Sequence, residues 1–580
     1  MAMVKEAPPA DEKAAAIREP LLEAEASTSK GGFRTLPFII ANEALERVAT
    51  SGLIPNMILY LTQQYNMGNT AAANVINLWT AATNFTPIFG ALIADSYTGK
   101  YRTVGFGSIL SFLGILLFWL TTMFPQATPN YESATTLQLL FLYFCLGIMS
   151  IGAGGIRSSI LAFGVDQLDK IRNTHEHAKT LRSFFSWYYV SISLGLIIAS
   201  TVIVYIQDKI GWKMGFGVPV LLMLVALVSF YLATPFYIKL KPKTSLLTGL
   251  AQVLVASFRN RHINLPSQAA NEVCFLSGSM FHVPSENLRF LNKACVIRNP
   301  QQDLTLDGNA SNPWSLCTVD QVEELKALIR VMPICSTGIM IHVVVSQGSF
   351  IVIQTNTMDR HITSNFEIPA ASFSVFMIIA LTMGIFFYEH IALPLASKVK
   401  GKPVRLSLKQ RMGIGLLFSC AAMVSAAIVE YIRRGIAIKQ GHSDEPQALV
   451  PMSALWVIPY HLFCGLSEAF YAVPQYEFYF SELPKTMSSI ASSLYLLGLF
   501  AGGLVASFIV DAVEDISKRG GESWLSSNIN KGHYDYYYWF IVGLSVLNFV
   551  YYLACCKAYG PCKADDNEGD QLADDIQVIN

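Results

Sequence analysis

The chain has 580 residues, 52% of them hydrophobic and only 14% charged, against about 25% charged in an ordinary soluble domain. Lys plus Arg and Asp plus Glu stand at 41 each, so no net basicity points to a nucleic-acid partner. The ten cysteines form no CxxC pair, which argues against zinc sites and disulfide frameworks alike, and no metal or organic cofactor is expected.

Residues 1–35 are polar and Ala/Glu-rich without an apolar core segment, so they read as a disordered cytosolic tail rather than a signal peptide. A membrane-crossing helix needs about 20 mostly apolar residues. Six such runs begin near Leu36, Ala72, Val104, Leu137, Phe184 and Gly217 and make a bundle over residues 36–238. Residues 239–325 form a polar linker too long for a simple connector. Its periodicity is weak, except that QVEELKALIR reads as a helix entering the seventh span. Six more runs begin near Lys326, Pro369, Arg411, Pro451, Met487 and Tyr536 and make a second bundle over residues 326–557, with a tail at 558–580. Cys555, Cys556 and Cys562 crowd the end of the last run and are candidates for palmitoylation.

Lys and Arg placement orients the spans. The loops after spans 2, 4, 8 and 10 (TGKYR, DKIRNTHEHAKTLR, SKVKGKPVRLSLKQR, SELPKT), together with the linker, hold most of the loop cations. Those loops, the linker and both termini therefore face the cytosol. That placement disposes of two glycosylation matches, one at Asn309 in the cytosolic linker and one at Asn84 inside a span. Twelve helices split six and six about a cytosolic linker is the all-α architecture of major-facilitator transporters, whose halves rock about a midplane site. Composition alone also allows a channel or a membrane enzyme.

The first span decides between these. NEALER places Glu43, Glu46 and Arg47 at i, i+3 and i+4, on one helix face. Each charge at the centre of a membrane helix costs roughly 2.5–3.5 kcal/mol on insertion scales. A Glu43–Arg47 pair alone would be self-neutralising but would leave Glu46 unexplained. Two acids beside one base can take up a proton without stranding a net charge, which is what a proton relay facing a cavity needs. A carboxylate that gains a proton also releases the arginine to hold an anion.

NEALER also resembles the E-x-x-E-R signature of the plant nitrate and peptide transporter family, the proton-dependent oligopeptide transporters. The resemblance continues through GALIADSYTGKYRT, GAGGIRSSILAFGVDQLD, FFSWYYVSISLG, WSLCTVDQVEELKALIRVMPI, TMDR, LSEAFYAVPQYEFYFSELPKTM and NINKGHYDYYYW. It implies a proton-coupled importer of the fold just described, working in the plasma membrane or, less favoured, the vacuolar membrane. Its partners would be protons and a small-molecule anion, with membrane lipid around it and a regulatory kinase acting on it.

Beside the resemblance, the residues carry their own reasons. Asp95 and Lys100 bracket a turn at Gly99, a charged turn suited to bonding helix ends in one state and releasing them in another. The glycines of GAGGIRSSI allow close helix approach, and Arg157 within that span needs a carboxylate, for which Glu43 and Glu46 are the candidates. The family usually has lysine there. Arginine keeps its proton and binds bidentately, which favours a structural or anion-holding role. Glu468 is the acid in the middle of the tenth span and resembles the family acid that pairs across the cavity on closure. Glu477 and the aromatic run YDYYYW are expected at the membrane interface. Thr103, at the cytosolic start of span 3, matches a threonine that some family members phosphorylate.

Two departures bear on substrate. Peptide-carrying members resemble E-x-x-E-R-F-x-Y-Y-G, whereas this chain continues Val48, Ala49, Thr50, Ser51, Gly52, so both tyrosines that help hold a peptide are absent. The family's nitrate-binding pattern places a histidine where this chain has Val345, with His342 one turn earlier as a core or cavity histidine. Nitrate would then be drawn in by Arg47 and Arg157. The expectation is low-affinity proton-coupled nitrate uptake, with an organic anion or glycoside as the alternative and a transporter-folded nutrient sensor as the rival class. No Ser/His/Asp set, HExxH spacing or phosphate loop suggests an enzyme.

Overall fold

The computed structural model describes residues 31–562, apart from residue 33 and the segments 125–133, 169–173, 240–245, 263–274, 276–283, 306–308, 402–405 and 485–486. The two tails expected at 1–35 and 558–580 lie largely outside the described residues.

Among the described residues, nine helices are long and apolar enough to cross a membrane. They are spans 3 (Lys100–Thr121), 4 (Thr136–Asp166), 5 (Ser183–Ile210), 6 (Trp212–Leu232), 7 (Val319–Asn356), 8 (Ala370–Lys400), 9 (Leu408–Lys439), 11 (Ser493–Lys518) and 12 (Tyr534–Tyr559). The other three are less apolar. Span 1 is broken into Leu36–Ser51 and Ile54–Gln64, because Pro55 lacks an N–H and its ring collides with the carbonyl four residues back. Span 2 (Asn69–Ile93) carries Asn69, Asn74, Asn77 and Asn84, and span 10 (Ile458–Glu482) carries Glu468 and Glu477. The twelve helices form the fold expected from the apolar runs.

Several helix starts are written locally. Thr135 with Gln138, Thr318 with Gln321, and Ser407 with Gln410 form reciprocal capping boxes at the starts of spans 4, 7 and 9. Packing repeats six spans apart: the pairs 3/4, 2/4 and 1/6 recur as 9/10, 8/10 and 7/12, the internal repeat typical of transporter folds. Small residues set the tightest seams. A methyl group on Gly152 would overlap the backbone of Ser111, and one on Gly465 the backbone of Met377, so span 4 lies against span 3, and span 10 against span 8, at near backbone contact. The linker packs on the second bundle: Val253 and Ala256 of the helix Leu246–Arg259 join Leu291, Cys295, Val319 and Val322 in one apolar cluster.

The bundles are tied together at their external ends. Asn69 Nδ2 donates to Tyr534 Oη at 2.9 Å, and Ser507 Oγ donates to Asn74 Oδ1 at 2.8 Å, with Asn74 also bonded to Asp511. Lys209 Nζ meets Glu367 at 2.7 Å, and Arg360 reaches the same carboxylate at 2.6 Å from the base of the hairpin His361–Thr363/Phe366–Glu367. The molecule is therefore closed toward the outside.

Two sequence expectations need correction. The run YDYYYW is not a lipid-facing belt: Tyr534, Tyr537 and Tyr538 are buried, and Tyr537 donates to Gln347 at 2.8 Å. Only Tyr536 and Trp539 face outward, since consecutive helical residues point to different sides of the helix. Cys555 and Cys562 are buried in the apolar cluster under span 12, which removes them as acylation candidates, while Cys556 is half-buried.

Candidate functional site

On the inner half of span 1, one helix face carries Glu43, Glu46, Arg47 and Thr50 into the bundle. Both carboxylates are fully buried. Arg47 Nε donates to Glu43 Oε1 at 2.9 Å. Arg157, projecting from span 4, approaches Glu46 Oε1 at 3.4 Å and donates more closely to Thr50 Oγ1, at 3.0 Å. Thr50 Oγ1 in turn lies 3.1 Å from Glu46 Oε1 and 3.0 Å from the Glu46 backbone oxygen. Arg157 can enter because Gly154 and Gly155 bring span 4 against Thr86 and Gly107. Two acids and two guanidiniums thus form a neutral buried set in two pairs, as buried charges require. Glu43 Oε2 and Glu46 Oε2 have no hydrogen-bond partner among the described residues, leaving acceptor positions where a proton can sit, and Arg157 Nε is an unpartnered donor beside them. Arg47, Thr50 and Arg157 line a cavity of about 190 Å³ with Trp79, Thr83 and Asn84 of span 2.

The second bundle contributes a different cluster. His342 Nδ1 of span 7 lies 4.0 Å from Glu468 Oε1 of span 10. Tyr495, on the helix Ser488–Lys518, donates to Glu468 Oε2 at 3.3 Å and meets the His342 ring edge-on, 5.6 Å between centroids. These bonds stay within the second bundle, so the cross-cavity pairing implied for Glu468 is not made in this closed-outside conformation. Val345, His342 and Glu468 line a second, mostly apolar cavity of about 280 Å³, which shares Ile54 and Thr80 with the first. The two cavities therefore adjoin between the bundles.

The charged turn at Gly99 bonds a neighbouring helix end through one of its two charges. Lys100 Nζ bonds Asp166 Oδ1 at the end of span 4, at 2.8 Å, while the single π turn Ala94–Thr98 places Asp95 at the end of span 2. The charged turn thus joins neighbouring helix ends through Asp166. Thr103 is buried, and its hydroxyl donates to Gly99 O at 3.1 Å and lies 2.7 Å from Thr98 Oγ1. Glu477 is the half-exposed partner of Arg411, at 2.8 Å.

The model of the POT family matches residues 101–525. Two Arabidopsis thaliana proteins are similar over almost their whole length. NRT1/PTR family protein 1.2 is 48% identical over 93% of this chain and 91% of its own length, and NRT1/PTR family protein 1.1 is 49% identical over 92% of each. The chain belongs to the POT family. Among solved structures, the POT family transporter PepTSo matches the fold with a TM-score of 0.67 at 18% identity, covering 91% of this chain and 98% of that one.

As a POT family member the chain is a multi-pass, proton-coupled membrane transporter. Sequence reasoning missed three features of it. Thr50 bridges Glu46 and Arg157, yet a helical threonine carries no local signal. Tyr495 reaches Glu468 from another helix. Glu430 and Arg433 in span 9 form a fully buried pair with two bonds of 2.7 Å, extended by Arg433 to Asn530 at 2.7 Å and Thr357 at 3.2 Å. That pair was detectable, since it repeats at i, i+3 the spacing used for Glu43 and Glu46.

Proposed function

We propose that this transporter imports a small monoanion, nitrate, together with protons across the plasma membrane. The observation that carries the reading is that Arg47 and Arg157 both line the first cavity while each is held by one buried carboxylate. With both acids ionised the set is neutral and neither guanidinium is free. One proton on Glu43 or Glu46 leaves one positive charge uncompensated, and a bound monoanion restores neutrality. A second proton makes the loaded form cationic and the transport step electrogenic. Arginine suits this role because its charge persists and its fork matches a planar oxyanion. Thr50 and Ser51, where peptide carriers have tyrosines, leave no aromatic pair to hold a peptide.

The test is acid-dependent uptake of labelled nitrate in oocytes. Uptake that rises on acidification, brings inward current and disappears in Arg47→Ala supports the reading. One observation favours a second substrate class: the adjoining cavity is larger and walled by groups such as Val345 and Met377, which suits the apolar body of an organic anion or glycoside. Absence of nitrate current at any pH, alongside glucoside uptake, would transfer the assignment. A nutrient sensor would bind without carrying charge, so substrate-induced current counts against it.

A further inference from the structure

Thr50 occupies an unusual place between the charged groups. Arg157 Nη2 is closer to Thr50 Oγ1, at 3.0 Å, than to the Glu46 carboxylate, at 3.4 Å. The same hydroxyl lies within reach of two acceptors on Glu46, Oε1 at 3.1 Å and the backbone oxygen at 3.0 Å. A hydroxyl has one proton and two lone pairs, so Thr50 can donate to only one of these acceptors at a time.

Its choice depends on Glu46. A hydrogen bond to an ionised carboxylate is roughly twice as strong as a neutral one. With Glu46 ionised, the Thr50 proton points to the carboxylate and its lone pairs accept from Arg157, so guanidinium, hydroxyl and carboxylate form one chain. With Glu46 protonated, the carboxyl is a weaker acceptor and carries its own O–H. The Thr50 proton then turns to the backbone oxygen four residues back, the ordinary bond of a helical threonine. A protonated Glu46 can donate into the Thr50 lone pairs that Arg157 used.

We propose that Thr50 is the positioning residue that transmits protonation of Glu46 to Arg157, freeing the guanidinium for the anion by reorienting one hydroxyl. This inference rests on the reading of Glu46 as a proton carrier. The other charged or titratable groups around Glu46 are Glu43 and Arg47 on its own helix, Arg157 on span 4 and Tyr188 on span 5. Span 6 presents the backbone oxygen of Ala226 to Asn42, and span 10 brings Tyr476 toward Arg47. None of these touches both Glu46 and Arg157 as Thr50 does.

The experiment measures initial uptake of labelled nitrate against external pH in oocytes, normalised to surface protein, for wild type and for Thr50→Val, Thr50→Ala, Thr50→Ser and Glu46→Gln. Valine keeps the shape of threonine without the hydroxyl, and alanine is a second hydroxyl-free variant should valine reduce surface expression. Removing a donor to the ionised carboxylate makes protonation easier. The uptake midpoint should therefore move to higher pH by about one unit, tenfold in proton concentration, in both hydroxyl-free variants. Thr50→Ser should stay with wild type, a rescue that a purely packing role would not give. Wild-type midpoints in Thr50→Val and Thr50→Ala, with pH dependence lost in Glu46→Gln, would overturn the role of Thr50 and leave Glu46 as carrier. Wild-type pH dependence in Glu46→Gln, or a wild type without acid-stimulated nitrate uptake, would overturn both.

Discussion

Replacing Glu43 or Glu46 by glutamine should uncouple the transporter without unfolding it. Deleting either side chain outright would leave a buried guanidinium unpaired, a loss of about 3–5 kcal/mol. Glutamine retains an oxygen that can accept from Arg47 in the first position, or from Thr50 and Arg157 in the second, so most of that penalty is avoided. With the remaining carboxylate ionised, the four-group set then carries one positive charge without any proton on the substituted position. An anion can still bind and exchange, but the substituted position can no longer carry a proton across. Each pH unit of gradient is worth about 1.4 kcal/mol per coupled proton, or tenfold in the accumulation ratio. Purified variants in liposomes with an imposed inward proton gradient should therefore accumulate labelled nitrate about tenfold less per pH unit than wild type. Counterflow exchange without a gradient should remain, which shows that the site is still formed. Accumulation to the wild-type ratio in both variants would refute the assignment of these carboxylates.

Thr103→Asp should change the KM for nitrate relative to Thr103→Ala, because Thr103 is buried and bonded to Gly99 and Thr98 and a fixed negative charge there must loosen the start of span 3. Equal constants for the two variants would remove Thr103 as a kinase-controlled position. At the external end, Lys209→Glu or Glu367→Lys should favour outward opening and the double reversal should restore closure. Both partners are partly exposed, so the pair is worth at most about 1 kcal/mol, up to fivefold in population; the readout is labelling of a cysteine placed at Thr80 by an impermeant thiol reagent. Burial opposes ionisation of Glu367, but the hydrogen bond from Lys209 and the charge of Arg360 prevail and hold its carboxyl below the usual range. A depressed carboxylate contributes fully above the ordinary glutamate range and loses its contribution as pH falls through its own lower value. Labelling should therefore be flat from neutral to mildly acidic pH and rise only below the ordinary glutamate range.

Much of this molecule is legible from local pattern. Apolar runs locate the spans, and the i, i+3, i+4 spacing puts Glu43, Glu46 and Arg47 on one face. The need of Arg157 for a carboxylate pointed to this same pair of acids, and Arg157 reaches Glu46 at 3.4 Å. What escaped depends on distant parts of the chain meeting. Lys100 finds Asp166, a partner not named from the sequence, because spans 3 and 4 pack at backbone contact. Tyr534 and Tyr537 are buried by Asn69 and Gln347, partners from spans 2 and 7 that an aromatic run cannot announce. Thr50 shows the sharpest limit: only the arrival of Arg157 from span 4 turns a common helical threonine into a bridge.

The three spans that fall short of ordinary membrane apolarity all reach the space between the bundles. Span 1 brings Glu43, Glu46 and Arg47, span 2 brings Asn77, Thr80 and Asn84, and span 10 brings Glu468, and residues of each line one or both cavities. A lipid-facing helix gains from every apolar residue, but a helix facing a polar cavity does not, so low apolarity marks which face was reserved for solute. The charges are also distributed as the bilayer demands. In the first bundle two carboxylates offset two guanidiniums, and in the second Glu430 offsets Arg433 while Glu468 rests on Tyr495 and beside His342. The buried acids of the first bundle stand beside permanent cations that line a cavity, whereas the acid of the second lines a cavity itself and stands beside groups that can be neutral. If Glu43 or Glu46 carries the proton as proposed, its protonation creates an anion site, whereas a proton on Glu468 would only discharge its neighbourhood. On the proposed reading, anion capture belongs to the first bundle and the second shapes the rest of the solute.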